Sequence, residues 1–141
     1  MSKGRVLVVE PEAPRGNRQQ VLVVDDEADV RRAVRLILTK AGYDVDEAEH
    51  PEAGATLVKT GANRTPLGAI ITDLSMPTVN EIIVITYLHS QFPACPIIVL
   101  SGSKMLDRSA KLFKDADVQF LAKPINQEQL LAAMKKAIKE G

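Results

Sequence analysis

The strongest constraint on the fold of this chain is a repeated alternation between short strand-like runs and helical segments. Residues 21–24, 67–72, 97–100 and 118–122 are short apolar runs, and residues 43–48 alternate apolar and acidic side chains. Such runs are typical of buried and half-buried strands. Parallel strands in one sheet need crossover connections, which are usually helices. The sequence therefore predicts a parallel sheet with helices on both faces.

The first of these runs has a near duplicate closer to the amino terminus. Residues 6–12 read Val-Leu-Val-Val-Glu-Pro-Glu, and residues 21–27 read Val-Leu-Val-Val-Asp-Asp-Glu. Only the second copy leads into an amphipathic helix, whereas Pro11 and Pro14 follow the first. We therefore predict a domain at 20–141 and an N-terminal extension at 1–19. That extension is an extra edge strand, a partner-binding arm or a flexible tail.

Composition narrows the class of protein. The chain has 141 residues, suited to one domain, with 18 basic and 18 acidic residues and a formal net charge of zero. Zero net charge argues against nucleic-acid binding driven by bulk charge. Cys95 is the single cysteine, which rules out an internal disulfide and fits a reducing compartment. No apolar run approaches the roughly 20 residues that span a bilayer, so we expect a cytoplasmic protein.

Helical segments lie between the strands. The pattern after Asp26 predicts an amphipathic helix with Arg31 and Arg35 facing water, ended by Gly42. We predict further helices over 51–58, 80–90, 104–114 and from Asn126 to the end of the chain, Asn126 being the N-cap. Ile83 is expected to face outward, because four consecutive apolar residues cannot all share one side of a helix.

Polar and charged residues follow the predicted strands. Asp25 and Asp26 follow the first strand, Asp73 the third, Ser101 the fourth and Lys123 the fifth. The carboxyl ends of parallel strands share one edge of the sheet, where such folds bind ligands. Three neighbouring carboxylates favour a hard divalent cation such as Mg²⁺, and the absence of His and Cys at these positions argues against zinc.

This set of residues favours phosphoryl chemistry. An aspartate carboxylate can act as a nucleophile toward a phosphoryl group. Ser101 could donate a hydrogen bond to a phosphoryl oxygen, and Lys123 could pair with another. Taken singly, each residue has a simpler explanation, since aspartates cap helices, serines occupy turns and lysines face water. Their combined order along the strands favours the functional interpretation.

The motifs resemble those of a known family. Residues 21–27, Asp73-Leu-Ser-Met-Pro77, Ser101 after an apolar strand and Lys123-Pro124 are similar, in kind and order, to the receiver domain of bacterial two-component response regulators. The resemblance covers residues 20–140. It implies an α/β, flavodoxin-like (βα)5 fold, with a five-stranded parallel sheet of order 2-1-3-4-5 and helices on both faces.

The resemblance also implies the roles of individual residues. Asp73 would accept a phosphoryl group from a histidine kinase or a phosphotransfer protein. Mg²⁺ would be bound by Asp26, Asp73 and the backbone carbonyl of Ser75, with Asp25 acting largely through water. Ser101 would move toward the phosphoryl group. Phe120 and Lys123 complete the implied set.

Phe120 would occupy the aromatic switch position, and Lys123 would bind a phosphoryl oxygen. Such a domain is a signalling switch rather than a metabolic enzyme, and it catalyses only its own phosphorylation and dephosphorylation. Its partners would be a kinase, a downstream protein and, as is common in the family, a second copy of itself. We expect no nucleic-acid or membrane partner for this chain.

One departure from the family pattern leaves an alternative open. Glu81 replaces the glycine that usually follows the Met-Pro motif. A second hypothesis is therefore a pseudo-receiver that binds a partner, through its Ile-rich third helix or its N-terminal arm, without being phosphorylated. A small-molecule phosphohydrolase is disfavoured, because Ser75 stands where its second catalytic acid would lie.

Overall fold

The computed structural model describes residues 19–60, 67–73, 81–101 and 117–138, with backbone only at Glu81 and Ser101. Within these ranges strands and helices follow one another along the chain. They are β1 (Gln20–Val24), α1 (Ala28–Lys40), β2 (Asp44–Ala48), α2 (Pro51–Thr60), β3 (Leu67–Asp73), α3 (Glu81–Gln91), β4 (Ile97–Ser101), β5 (Val118–Ala122) and α4 (Gln127–Ile138).

The five strands form one parallel sheet in the order β2-β1-β3-β4-β5. This confirms the predicted flavodoxin-like fold and its strand order. The three inner strands, β1, β3 and β4, are the most deeply buried, as expected for strands covered on both faces. The register pairs Val24 with Thr72, Asp73 with Leu100 and Ser101 with Ala122. The carboxyl ends of β1, β3, β4 and β5 therefore share one edge.

A hydrophobic core lies on each side of the sheet. On one side, helices α1 and α4 contribute Val34, Leu38, Leu130 and Met134, which pack on alternate residues of the inner strands. On the other, α3 contributes Val84, Ile85 and Leu88. Strand alternation separates the two sets, since Val21 and Val23 face the first core while Leu22 and Val24 face the second.

Two glycines are favoured at their positions for different reasons, close packing at Gly54 and backbone conformation at Gly42. Gly54 of α2 lies against β1, and a Cβ there would approach Leu22 Cδ2 to 3.0 Å. A larger residue would require the Leu22 side chain to shift by a few tenths of an ångström, so glycine allows α2 to pack closely on the sheet. Gly42 follows α1 with a φ of +99°, a left-handed conformation that favours glycine at the end of a helix.

Several local predictions can be checked against the helices. Ile83 does face outward, with 64% of its surface exposed. Asn126 caps α4, because its Oδ1 accepts a hydrogen bond from the Gln129 amide at 3.0 Å. The prediction that Arg31 faces water is wrong: its side chain is 15% exposed and bonds to the sheet edge.

Other predictions lie outside the described residues. These are the N-terminal extension up to residue 18, the helix over 104–114 and the loop that contains Ser75. No helix in the described part of the chain is both long enough and apolar enough to cross a membrane.

Candidate functional site

Strand alternation brings two buried carboxylates together at the carboxyl edge of the sheet. Asp25 continues the face of Val21 and Val23, and Asp73 continues that of Ala69 and Ile71. Since β1 and β3 are adjacent and in register, the two side chains lie side by side. Asp25 is 2% exposed and Asp73 is 1% exposed. Two carboxylates are rarely buried together unless they have a functional role or are paired with cations or hydrogen-bond donors.

One compensating partner is Lys123, which follows the last residue of β5. Its Nζ donates a hydrogen bond to Asp73 Oδ2 at 2.5 Å. The Lys123–Pro124 peptide bond that follows is cis. The contact joins residues from β3 and the end of β5, on either side of β4, so it exists only in the folded sheet. The structure thus places a cation on the carboxylate that the sequence identified as the candidate nucleophile.

A third carboxylate completes the cluster. Oxygen atoms of Asp25, Glu27 and Asp73 all lie within 4.8 Å of one another. The turn after β1 makes this arrangement, because the Glu27 amide donates to Asp25 Oδ1 at 2.8 Å and folds the chain back toward the sheet. Glu27 is exposed, so this side of the cluster is open to solvent. In the sequence, Glu27 stands out only as the last residue of the 21–27 motif, and it is not among the predicted site residues.

The environment of Asp25 raises the pKa of its carboxyl group from 3.8 to about 7. Burial is the main cause, since it disfavours the charged form, and the neighbouring Asp73 carboxyl raises the pKa further through charge repulsion and a hydrogen bond. The Glu27 amide and the Lys123 ammonium act in the opposite direction. The cluster therefore carries more negative charge than the buried site readily accommodates on its own.

We expect this pKa shift to make the metal-free protein less stable as the pH rises. The folded state holds the Asp25 proton up to about pH 7, while the unfolded state loses it near pH 4, so the free energy of unfolding falls across that interval. Asp25→Asn removes this effect. The variant should match the wild type near pH 4 and exceed it by on the order of 2 to 4 kcal/mol at pH 8. Urea unfolding in EDTA at several pH values measures the difference, and a gap independent of pH would contradict the account.

The other predicted site residues differ in their exposure and in how much of each the structure describes. Phe120 is half-buried on β5 and packs against the core on the α2–α3 side. Asp26 lies exposed between Asp25 and Glu27. Ser101 is described only as the last residue of β4, paired with Ala122, and Ser75 lies outside the described residues. The roles assigned to these residues stay predictions.

Comparison with known proteins identifies the family. The sequence model of the response regulator receiver domain matches residues 21–135. The chain belongs to this family. The match includes β1 through most of α4, and with them Asp25, Asp73 and Lys123. The receiver domain is a signalling module of two-component systems rather than a conventional enzyme.

Curated relatives of this receiver domain are longer regulators. It is 34% identical over 122 residues to the transcriptional regulatory protein KdpE of Mycobacterium tuberculosis, with 86% of this chain and 51% of that protein covered. It is 24% identical over 123 residues to the response regulator protein PilR of Pseudomonas aeruginosa, with 87% and 27% covered. The chain thus spans about a quarter to a half of the length of these relatives.

Two solved structures of receiver domains have the same fold. A response regulator receiver domain protein from Clostridium thermocellum superposes with a TM-score of 0.75 at 24% identity, covering 86% of this chain and 95% of that one. A CheY-like receiver domain protein from Methanospirillum hungatei gives a TM-score of 0.73 at 23% identity, with 88% and 96% covered. These likenesses confirm the fold.

Proposed function

We propose that this receiver domain accepts a phosphoryl group on Asp73, in the presence of Mg²⁺, from a histidine kinase or a phosphotransfer protein. The observation that carries the proposal is the buried Asp73 carboxylate, bonded to Lys123 on one side and adjacent to Asp25 and Glu27 on the other. Phosphorylation would then change the binding of a downstream protein.

The residues present fit a magnesium ion. All three clustered groups are carboxylates, which are the hard oxygen ligands that Mg²⁺ prefers. Three carboxylates face one ammonium, and the raised pKa of Asp25 reflects burial together with this excess of negative charge. Asp25, Glu27 and Asp73 would hold the ion, and Asp26 and the Ser75 carbonyl are further ligands implied by the family resemblance. Bound Mg²⁺ would neutralise charge on the carboxylates and on the incoming phosphoryl oxygens.

The chain's own residues then have distinct tasks. An Asp73 oxygen attacks phosphorus, a new O–P bond forms, and the P–N bond of the donor phosphohistidine breaks with its electron pair returning to the imidazole. Lys123 holds the Asp73 carboxylate in place and would pair with a phosphoryl oxygen of the incoming group. Burial of Asp25 and Asp73 limits their contact with water. Ser101 and Phe120 would convert the new charge into a conformational change.

The test is phosphorylation of the whole chain with acetyl phosphate, followed by intact-mass spectrometry. We expect an adduct of one phosphoryl group that forms with millimolar Mg²⁺ and fails to form in excess EDTA, because the carboxylates alone repel a phosphoryl donor. The absence of an adduct in the presence of Mg²⁺ would count against the proposal.

A second candidate function is supported by the surface of α3. Ile83 projects from this helix with 64% of its surface exposed, which suits a contact with a partner protein. Glu81 is the first residue of α3, so its backbone is helical and needs no unusual conformation. A pseudo-receiver would use such a surface without phosphorylation. The same acetyl phosphate experiment separates the two functions.

A further inference from the structure

Arg31 of α1 links the turn after β1, which carries Asp25 and Glu27, to strand β2. Its Nη1 donates a hydrogen bond to the backbone carbonyl of Asp25 at 2.7 Å, and its Nε donates to Glu47 Oε1 of β2 at 3.1 Å. The side chain is only 15% exposed. A planar guanidinium that makes two directed contacts at once holds its partners in a fixed relative orientation.

The carbonyl that Arg31 contacts lies at a critical point in the backbone. Asp25 follows Val24, the last residue of β1 that pairs with β2 and β3. Its amide still donates to the Ala48 carbonyl at 3.0 Å. Beyond this point the chain leaves the sheet and turns so that the carboxylates of Asp25 and Glu27 approach Asp73. Arg31 therefore bonds to the peptide group that joins the end of the strand to this turn.

We infer that Arg31 is a positioning residue for the metal-binding carboxylates. By fixing the Asp25 carbonyl against Glu47 of β2, it holds the turn in the conformation that gathers Asp25 and Glu27 beside Asp73. This inference rests on the proposed function, because it assumes that these carboxylates bind Mg²⁺. Arg31 does not contact the clustered oxygens themselves and acts through the backbone that carries them.

Because Arg31 is positively charged, its electrostatic effect and its positioning effect change Mg²⁺ affinity in opposite directions. Removing a cation near the cluster would by itself strengthen Mg²⁺ binding, since the remaining potential is more negative. Removing a positioning contact weakens metal binding, typically by tenfold or more for groups that orient ligands. A loss of affinity in a variant without the arginine charge therefore reports positioning and not electrostatics.

The structure offers a matched control in Arg35. Its Nη1 pairs with the other oxygen of Glu47, Oε2, at 3.0 Å, and its side chain is 55% exposed. Arg31→Gln and Arg35→Gln each remove one positive charge and one contact to Glu47. Only the first also removes a bond to the Asp25 carbonyl. Arg31→Lys is the third variant, because it keeps the charge but loses the planar guanidinium that bonds to the Asp25 carbonyl and Glu47 at once.

Mg²⁺ affinity is measured by titrating MgCl₂ into each ¹⁵N-labelled protein and following backbone amide shifts, with a thermal melt recorded separately. We expect Arg31→Gln and Arg31→Lys to bind Mg²⁺ about tenfold more weakly than the wild type. Arg35→Gln should stay within about twofold of the wild type, even where its melting temperature falls as much as that of Arg31→Gln.

Each outcome decides the inference. Wild-type or tighter Mg²⁺ binding by a folded Arg31 variant would overturn it, and if Arg31→Gln does not fold, Arg31→Lys is judged by the same criterion. An equal loss of affinity in Arg35→Gln would assign the effect to Glu47 and also overturn it. A wild-type protein that binds no Mg²⁺ would instead refute the proposed function, and this inference with it.

Discussion

Asp73→Asn is expected to reduce phosphoryl uptake from acetyl phosphate by at least about 100-fold, to below detection by intact-mass spectrometry. The carboxylate is the group proposed to attack phosphorus, and an amide of the same shape is not a nucleophile of comparable strength. The substitution leaves the volume of the buried position unchanged, and it removes one of three clustered negative charges, so the domain should remain folded. Loss of uptake would then reflect chemistry and not unfolding.

Asp117→Asn is the matched control for this variant. Asp117 is exposed and precedes β5, and its carbonyl accepts a hydrogen bond from the Ile97 amide at the opposite, amino edge of the sheet. The same change of charge and atoms is made there, far from the carboxyl edge. We expect Asp117→Asn to be phosphorylated like the wild type. An adduct of equal abundance in Asp73→Asn would show that another residue accepts the phosphoryl group.

Lys123→Met should destabilise the metal-free protein at pH 8 by on the order of 3 kcal/mol. The ammonium is bonded to a carboxylate that is 1% exposed, and its loss leaves Asp73 buried beside Asp25 without the cation. Removing one partner of such a pair costs more than the pair itself contributes, because the remaining charge stays desolvated. Adding Mg²⁺ should recover much of the lost stability, since the metal would supply the missing positive charge.

Urea unfolding with EDTA and with Mg²⁺ measures both parts of this prediction. Lys135→Met provides the control, because Lys135 is an exposed residue in the last turn of α4 and its removal should change stability by less than about 0.5 kcal/mol. Equal stabilities of the two variants in EDTA would show that the Lys123–Asp73 contact is not maintained in solution.

Much of this architecture could be predicted from the sequence because local and global signals agree. The apolar run at 21–24 can be fully buried only in an inner strand, as it is in β1. The apolar residues that follow recur at the spacing of a helix with one face on the sheet, as in α1. Asn126 and Gly42 act at the ends of helices for reasons that are local to a few residues. The convergence of Asp25, Asp73 and Lys123 followed from topology, because parallel strands end at one edge.

The contributions of Arg31 and Glu27 could not be predicted in this way. Helical periodicity groups Arg31 with residues that face solvent, but it specifies only the direction in which the Cα–Cβ bond points. The long side chain of Arg31 reaches back to the carboxyl edge of the sheet. Glu27 joins the cluster through a turn closed by a hydrogen bond to Asp25. That geometry depends on the packed positions of β1 and α1, which residue spacing does not specify.

The most direct test of the account is to locate the modified residue. The wild-type chain is treated with acetyl phosphate and Mg²⁺, then with borohydride, which reduces an acyl phosphate on aspartate to the alcohol, and its peptides are sequenced by mass spectrometry. We predict a reduced side chain at position 73 and unmodified Asp25, Asp26 and Glu27. Reduction at any of those three residues, or a phosphoryl adduct that borohydride leaves intact, would contradict the assignment of Asp73 as the phosphoacceptor.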